Sequence, residues 1–149
     1  MILGIDHIGI ATDDPDDVAG YLTPLGLGLA QRGPAPAYGV DCQFWRAGGA
    51  QRGPAVELVS PATEGSAVRA YLDSRGPGLY HLAFEVDDLL QDMADLRAAG
   101  YVPIDDEPRA GGRPGMRVAF LYLRKPAGLL VELVQYASAD QGAPIIPAS

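Results

Sequence analysis

The sequence predicts an α+β fold made of two tandem βαβββ modules, and three observations carry that prediction. A histidine-led pattern occurs twice, His-Ile-Gly-Ile-Ala-Thr-Asp-Asp from His7 and His-Leu-Ala-Phe-Glu-Val-Asp-Asp from His81, 74 residues apart. A second pattern closes each half, Val56-Glu57-Leu58-Val59 and Val131-Glu132-Leu133-Val134. The separation from histidine to glutamate is 50 residues in the first half and 51 in the second. Two landmarks that agree in type, order and spacing mark an internal duplication. Residues 1–149 are therefore read as one domain, with a first module at about 3–60, a connecting helix at about 63–76, a second module at about 78–136 and a tail at 137–149.

Each element follows from its local pattern. Residues 4–11 alternate as a strand does, with Ile5 on the histidine side and Ile8 and Ile10 opposite, facing the helices. Asp14 is a suitable N-cap, Pro15 fits the first helical position, and Asp16 and Asp17 suit the positive end of the helix. Val18, Leu22 and Leu25 share one helical face, and Gly26 supplies a left-handed stop. Strands follow at about 27–31, 40–46 and 55–59. Residues 66–75 carry Val68, Tyr71 and Leu72 as a short connecting helix, and Gly76-Pro77-Gly78 resets the chain. The second half repeats the plan: a strand at 80–86, a cap at Asp87 or Asp88, a helix with Leu89, Met93 and Leu96 on one face, and Gly100 as its stop. Three more strands are expected at 102–104, 117–123 and 129–135. The tail is rich in Ala, Pro and Gly, with Ile145 and Ile146 as candidate apolar anchors.

Composition narrows the function classes. With 48% apolar and 20% charged residues, the chain has the make-up of a soluble globular protein. No apolar run approaches the ~20 residues that span a bilayer. The N-terminus lacks the basic start of a secretory signal, and the single cysteine, Cys42, can form neither an internal disulfide nor a thiolate cluster. These points predict a cytoplasmic protein with no membrane partner. A net charge of −8 argues against a nucleic-acid surface. It leaves room for an anionic small molecule, because a metal and a few arginines can reverse the field locally. The acidic runs at 13–17 and 105–107 read as solvated turns and helix starts.

The chemistry sits on the repeated landmarks. Strand alternation puts His7 on the face of Gly9 and His81 on the face of Ala83, so small residues leave space beside each ring. Glu57 and Glu132 project away from their flanking valines and leucines, and a carboxylate buried on a sheet is costly unless a charge compensates it. One strand histidine alone would be read as a hydrogen-bonded core residue. His7 and His81 are the only two histidines, and both fall at the repeat position with a repeat-related glutamate. The four together are read as the ligands of one divalent transition ion per chain. Mixed imidazole and carboxylate donors suit Zn, Ni, Co, Mn or Fe(II) alike. Four protein ligands leave two adjacent positions of an octahedral ion for substrate oxygens.

With these motifs the chain resembles the vicinal oxygen chelate superfamily, which includes glyoxalase I and the methylmalonyl-CoA epimerases, over roughly residues 3–136. The wording is most similar to the epimerases, in Ile5-Asp6-His7-Ile8-Gly9-Ile10-Ala11, in Gly78-Leu79-Tyr80-His81-Leu82-Ala83-Phe84, and in Glu107-Pro108-Arg109 followed by Val118-Ala119-Phe120-Leu121 and Gly128-Leu129-Leu130-Val131-Glu132-Leu133-Val134. The resemblance implies a mixed sheet curling around the ion, two substrate oxygens chelated to it, an enolate formed beside it, and a homodimer. It departs from the epimerase pattern at three positions. Cys42 stands where epimerases carry a catalytic glutamate, Glu57 where they often carry glutamine as glyoxalase I does not, and Tyr80 replaces the first histidine of a His-His pair.

The expected function is a metal-dependent enzyme, an epimerase-like catalyst of proton transfer next to a carbonyl, with a small-molecule substrate and an acyl-CoA as one candidate. Glu132 is the first choice for a ligand that doubles as base and Glu57 the second, with Cys42 as a further candidate catalytic group. Tyr80, Phe44 and Arg109 are candidate substrate contacts; Arg113 and Arg117 are read either as anion contacts or as solubilising loop residues. A glyoxalase I-like lyase is the main alternative, since its ligand set matches, although the arginine which that family places after its first histidine is replaced by Ala11 and Thr12. An isomerase or cyclase of a specialised metabolite uses the same scaffold, and a non-catalytic antibiotic binder is a further alternative.

Overall fold

The duplication is visible as one strand order traced twice in a computed structural model, which describes residues 1–137; the anchors expected at Ile145 and Ile146 lie outside the described residues. The first module contains β1 (Ile2–Ala11), α1 (Pro15–Leu22), β2 (Leu27–Ala35), β3 (Val40–Ala47) and β4 (Ala55–Pro61). Helix α2 (Arg69–Arg75) connects it to β5 (Gly78–Val86), α3 (Leu89–Ala98), the short β6 (Val102–Pro103) and β7 (Arg109–Ala110), and then β8 (Met116–Leu123) and β9 (Leu129–Tyr136). The strands form one mixed sheet in the order β2-β3-β4-β1-β5-β9-β8-β6, with β7 beside β8. β1 runs parallel to β4, β5 parallel to β9, and β1 antiparallel to β5. The two histidine strands therefore form the seam, and the sheet curls about it without closing, as predicted for the fold class. No helix among the described residues is long and apolar enough to cross a membrane.

Local chemistry explains the ends of the helices. The Asp14 carboxylate accepts the Asp17 N–H at 3.1 Å, and the Asp88 carboxylate accepts the Gln91 N–H at 3.1 Å, so both modules use one aspartate N-cap. Gly26 and Gly100 follow with φ of +83° and +104°, the left-handed region a side chain resists.

Three expectations are corrected. Leu25 is 74% exposed, because Pro24 draws Thr23–Leu25 into a separate 3₁₀ turn, and only Leu22 of α1 is buried. Ile8 is 41% exposed rather than covered by a helix, since α1 lies on β4 and α3 on β8 and β9, leaving the seam uncovered. Asp105 is buried, not solvated: it accepts the Phe120 N–H and the Tyr38 hydroxyl, each at 2.8 Å, and pairs with Arg109 Nε at 3.1 Å. Beside Pro103, which has no N–H for the ladder, this carboxylate takes over where the expected strand would continue, so β6 stops after two residues.

The inner face of the curl is packed by Val40, Phe44, Ala55, Val59, Val118 and Val134, with Val68 and Leu72 from the connection. A second cluster, including Leu89, Met93, Leu121 and Leu133, lies under α3.

Candidate metal centre

Strand register brings the four predicted ligands to one place. Along β1, His7 lies opposite Ala83 and Gly9 opposite His81. Gly9 is also paired with Glu57 on β4, and Ala83 with Glu132 on β9. Two rows cross the seam as a result, Glu57–Gly9–His81 and His7–Ala83–Glu132, each with a small residue between a glutamate and a histidine from opposite modules. Gly9 has to be small: a Cβ built there falls within the His81 ring.

The side chains converge accordingly. One donor atom from each of His7, Glu57, His81 and Glu132 lies within 4.8 Å of the other three, and all four residues are buried. The two Nε2 atoms are 3.0 Å apart. His7 Nε2 is 3.0 Å from Glu132 Oε2 and 3.4 Å from Glu57 Oε1. His81 Nε2 is 2.8 Å from Glu132 Oε2 and 3.2 Å from Glu57 Oε1. Metal–nitrogen bonds of about 2.0–2.1 Å set neighbouring donors about 2.8–3.0 Å apart in an octahedral shell and about 3.3–3.4 Å apart in a tetrahedral one. The donor set and its spacing therefore fit a transition ion.

Electrostatics give the same picture. Burial alone would lower the pKa of both imidazoles and raise that of both carboxylates. The pairing overrides it: Glu57 and Glu132 raise His7 and His81, most strongly His7, and the imidazoles hold both glutamates below the usual carboxylate range. Two buried carboxylates thus favour the charged form of the two imidazoles they face, and a dication would supply that positive charge instead.

Two β-bulges complete the site. The register of β1 on β5 slips between Ile5 and His7 and again between Gly9 and Ile10, so Asp6 and Tyr80 are each an extra residue immediately before a histidine. Asp6 comes within 2.6 Å of His7 Nδ1 (Oδ2), and Tyr80 lies edge-on to the His81 ring at 5.3 Å. Nδ1 of His81 is buried with no hydrogen-bond partner among the described residues.

In front of these residues is a cleft open to solvent, with His81, Glu57 and Glu132 at its base and Tyr38, Cys42, Tyr80, Phe120 and Leu130 among its walls. Its surface is largely apolar, and among the described residues no lysine or arginine lines it. The Cys42 thiol is pushed well up, by burial first and then by the two glutamates. The Tyr80 hydroxyl is pushed up to about 12, again chiefly by burial and then by Glu132 and Glu57.

The catalytic candidate Cys42 and the sequence-derived substrate contacts divide. Cys42 and Tyr80 line the cleft; Phe44 does not, being fully buried with its edge toward His7 at 5.5 Å. Arg109 also lies outside the lining and reaches it through Asp105, which holds the Tyr38 hydroxyl, and through its guanidinium, 6.0 Å from the centre of the Tyr38 ring. Arg113 is neither an anion contact in the cleft nor a solubilising loop residue: it is buried and pairs with Asp6 at 2.8 Å. Sequence reasoning missed Asp6 because strict alternation sets it on the face opposite His7, and a bulge leaves no signature in a single strand. The pairing of Asp105 with Tyr38 was equally hidden, being a contact between modules.

Comparison with known proteins bears on the family and the fold. The profile of the Glyoxalase/Bleomycin resistance protein/Dioxygenase superfamily matches residues 6–120. An ethylmalonyl-CoA/methylmalonyl-CoA epimerase of Cereibacter sphaeroides is 31% identical, over 91% of this chain and 99% of the relative. The structure of methylmalonyl-CoA epimerase from Mycobacterium tuberculosis superposes with a TM-score of 0.79 at 30% identity, covering 92% of this chain and 90% of that one. A variant of the Streptomyces coelicolor methylmalonyl-CoA epimerase, in complex with 2-nitronate-propionyl-CoA, gives a TM-score of 0.80 at 33% identity, covering 93% of this chain and all of that one (100%).

Proposed function

The chain belongs to the Glyoxalase/Bleomycin resistance protein/Dioxygenase superfamily, and from that premise we propose that it is a divalent-metal-dependent enzyme moving a proton on the carbon beside a carbonyl. The proposed substrate class is an acyl-CoA thioester with a second chelating oxygen, and the proposed reaction is epimerisation. The observation that carries this reading is the convergence of two imidazoles and two carboxylates at the base of an otherwise apolar cleft. The relatives support it, since those named above are acyl-CoA epimerases and one is bound to a CoA analogue.

His7, Glu57, His81 and Glu132 would hold the ion. When bound, a divalent cation supplies Lewis acidity, stabilising the negative charge that develops on a carbonyl oxygen as the neighbouring C–H is deprotonated. The apolar walls keep water away from the reacting carbon and strengthen that electrostatic effect. Glu132 is the proposed base, with Glu57 second, because both are held ionised, the form that accepts a proton. Cys42 is proposed as a proton donor on the wall rather than a base, because its environment keeps the thiol protonated. Tyr80 is a proposed hydrogen-bond donor to substrate, retaining its proton at neutral pH.

The test is incubation of methylmalonyl-CoA with the metal-loaded protein in D₂O. Deuterium entering the α-carbon is the expected result. A second reading, a glyoxalase I-like lyase, is favoured by one observation, the carboxylate at Glu57 where epimerases often carry an amide. Turnover of the methylglyoxal–glutathione adduct without exchange into methylmalonyl-CoA would replace the first reading by the second.

A further inference from the structure

Behind His7, on the side away from the cleft, donors from three elements converge on one carboxylate. Asp6 Oδ2 lies 2.6 Å from His7 Nδ1 and accepts from Arg113 Nη2 at 2.8 Å. Asp6 Oδ1 accepts from the Tyr136 hydroxyl at 2.6 Å. Arg113 is itself held: it donates to Gln31 Oε1 at 3.3 Å, bonds to the Tyr136 hydroxyl, and lies over the Phe44 ring at 4.5 Å. An ionised carboxylate only accepts. With Arg113 and Tyr136 already donating to Asp6, the bond to His7 requires a proton on Nδ1, so the proton a cation would displace is the one on Nε2, whose lone pair then faces the other ligand atoms. Among the described residues the second module has no such device, since the matching bulge carries Tyr80 and Nδ1 of His81 is unpartnered there.

We infer that Asp6 is a positioning residue of the metal centre, fixing the His7 tautomer and aiming Nε2 at the ion, with Arg113 and Tyr136 holding the carboxylate in place. The inference rests on the metal reading of the four ligands. An outer carboxylate behind a ligating imidazole typically changes metal affinity by about 10–100-fold when removed.

Co(II) titrated against a competing chelator provides the test, on the wild-type protein and on Asp6→Ala and Asp6→Asn. Asp6→Ala is expected to bind about 10–100-fold more weakly, and Asp6→Asn to fall between, since its amide oxygen still accepts the Nδ1 proton without the charge. Nitrogen-resolved proton spectra of the zinc-loaded protein give a readout that a purely structural ion pair would not move. The His7 Nδ1 proton should be shifted downfield and protected from exchange in the wild type, lose that protection in Asp6→Ala, and leave the His81 signal unchanged. Wild-type affinity in a folded Asp6→Ala, with the His7 signal unaltered, overturns the inference and leaves the metal reading standing. No Co(II) uptake by the wild-type protein overturns both. Should Asp6→Ala fail to fold, an unchanged affinity in Asp6→Asn overturns the inference.

Discussion

In the first module the histidine ring is tied at Nδ1 to Asp6, which is tied in turn to Arg113 and Tyr136; in the second, the residue at the matching bulge is Tyr80 and the ring is held by packing. His81 sits over Gly9 and meets the rings of His7, Tyr80 and Phe120 edge-on at 5.1–5.3 Å. The same bulge therefore serves two ends. Behind His7 it builds a polar brace, and beside His81 it turns a tyrosine into the cleft wall. The comparison teaches that duplication repeats the His/Glu donor atoms and the strand register, while the surroundings diverge into a polar brace behind one ring and a cleft wall beside the other.

The hardest blow to this comparison is to remove either ring. His7→Ala and His81→Ala should each abolish stoichiometric uptake of Co(II) and all turnover, because each leaves two buried carboxylates short of a partner. Breaking a buried charge pair in that way costs about 3–5 kcal/mol, which thermal unfolding of the metal-free variants would read. Retained uptake in one of them would show that the modules are not equal contributors to the ion.

Gly9 and Ala83 occupy matching places in the two rows but tolerate change unequally. Gly9→Val puts a branched side chain into the volume of the His81 ring. Overpacking of this kind costs about 1–3 kcal/mol, and metal affinity should fall with it. Ala83→Gly removes only a methyl group from a strand, worth about 0.5–1 kcal/mol, and should leave affinity near that of the wild type. Equal losses of affinity would mean that packing holds both rings alike.

Protonation should separate the two rings as well. Both histidines are raised above the ordinary 6.5, so their stabilisation is present below pH 6.5 and lost as pH rises through the raised values. The glutamates are depressed below 4.5, so theirs is present above pH 4.5 and lost as pH falls through the depressed values. The metal-free cluster is thus best balanced between about pH 4.5 and 6.5, and above that window its carboxylates progressively lose their counter-charge. The Tm gap between metal-loaded and chelator-treated protein should widen as pH is raised above 6.5. Proton titration of the metal-free protein should show His81 releasing its proton before His7, which Asp6 also holds. The reverse order would sink the claimed asymmetry.

Much of this was legible because it rests on periodicity and repetition. The four ligands, the central strands and the aspartate caps follow from side-chain parity and from residues whose local chemistry has few alternatives. What escaped depends on departures from regularity and on contacts between modules. Asp6 reaches the His7 ring only through a one-residue slip in register, and parity places it opposite. Asp105 lies in an acidic run that looks solvated, yet it ends a strand and secures Tyr38. Leu25 has the right spacing for the buried face of α1, but Pro24 ends the regular helix before it.

The caps test the comparison where it is gentlest. Asp14 and Asp88 make the same bond at the same distance, 3.1 Å, so the direct loss on substitution should be alike, about 1 kcal/mol. What differs is how firmly each helix is joined to the core. α1 buries only Leu22 and lies on β4, whereas α3 buries Leu89, Asp92 and Met93 and covers β8 and β9. Fraying of α1 therefore exposes little, and Asp14→Ala should appear mainly as faster hydrogen exchange within 15–22 with Tm nearly unchanged. Fraying of α3 opens a buried cluster, so Asp88→Ala should carry its loss into global unfolding and lower Tm by about 2–4 °C in a chain of this size. Equal Tm losses would show that α1 is as tightly coupled to the sheet as α3, and that the division between the modules stops at the metal site.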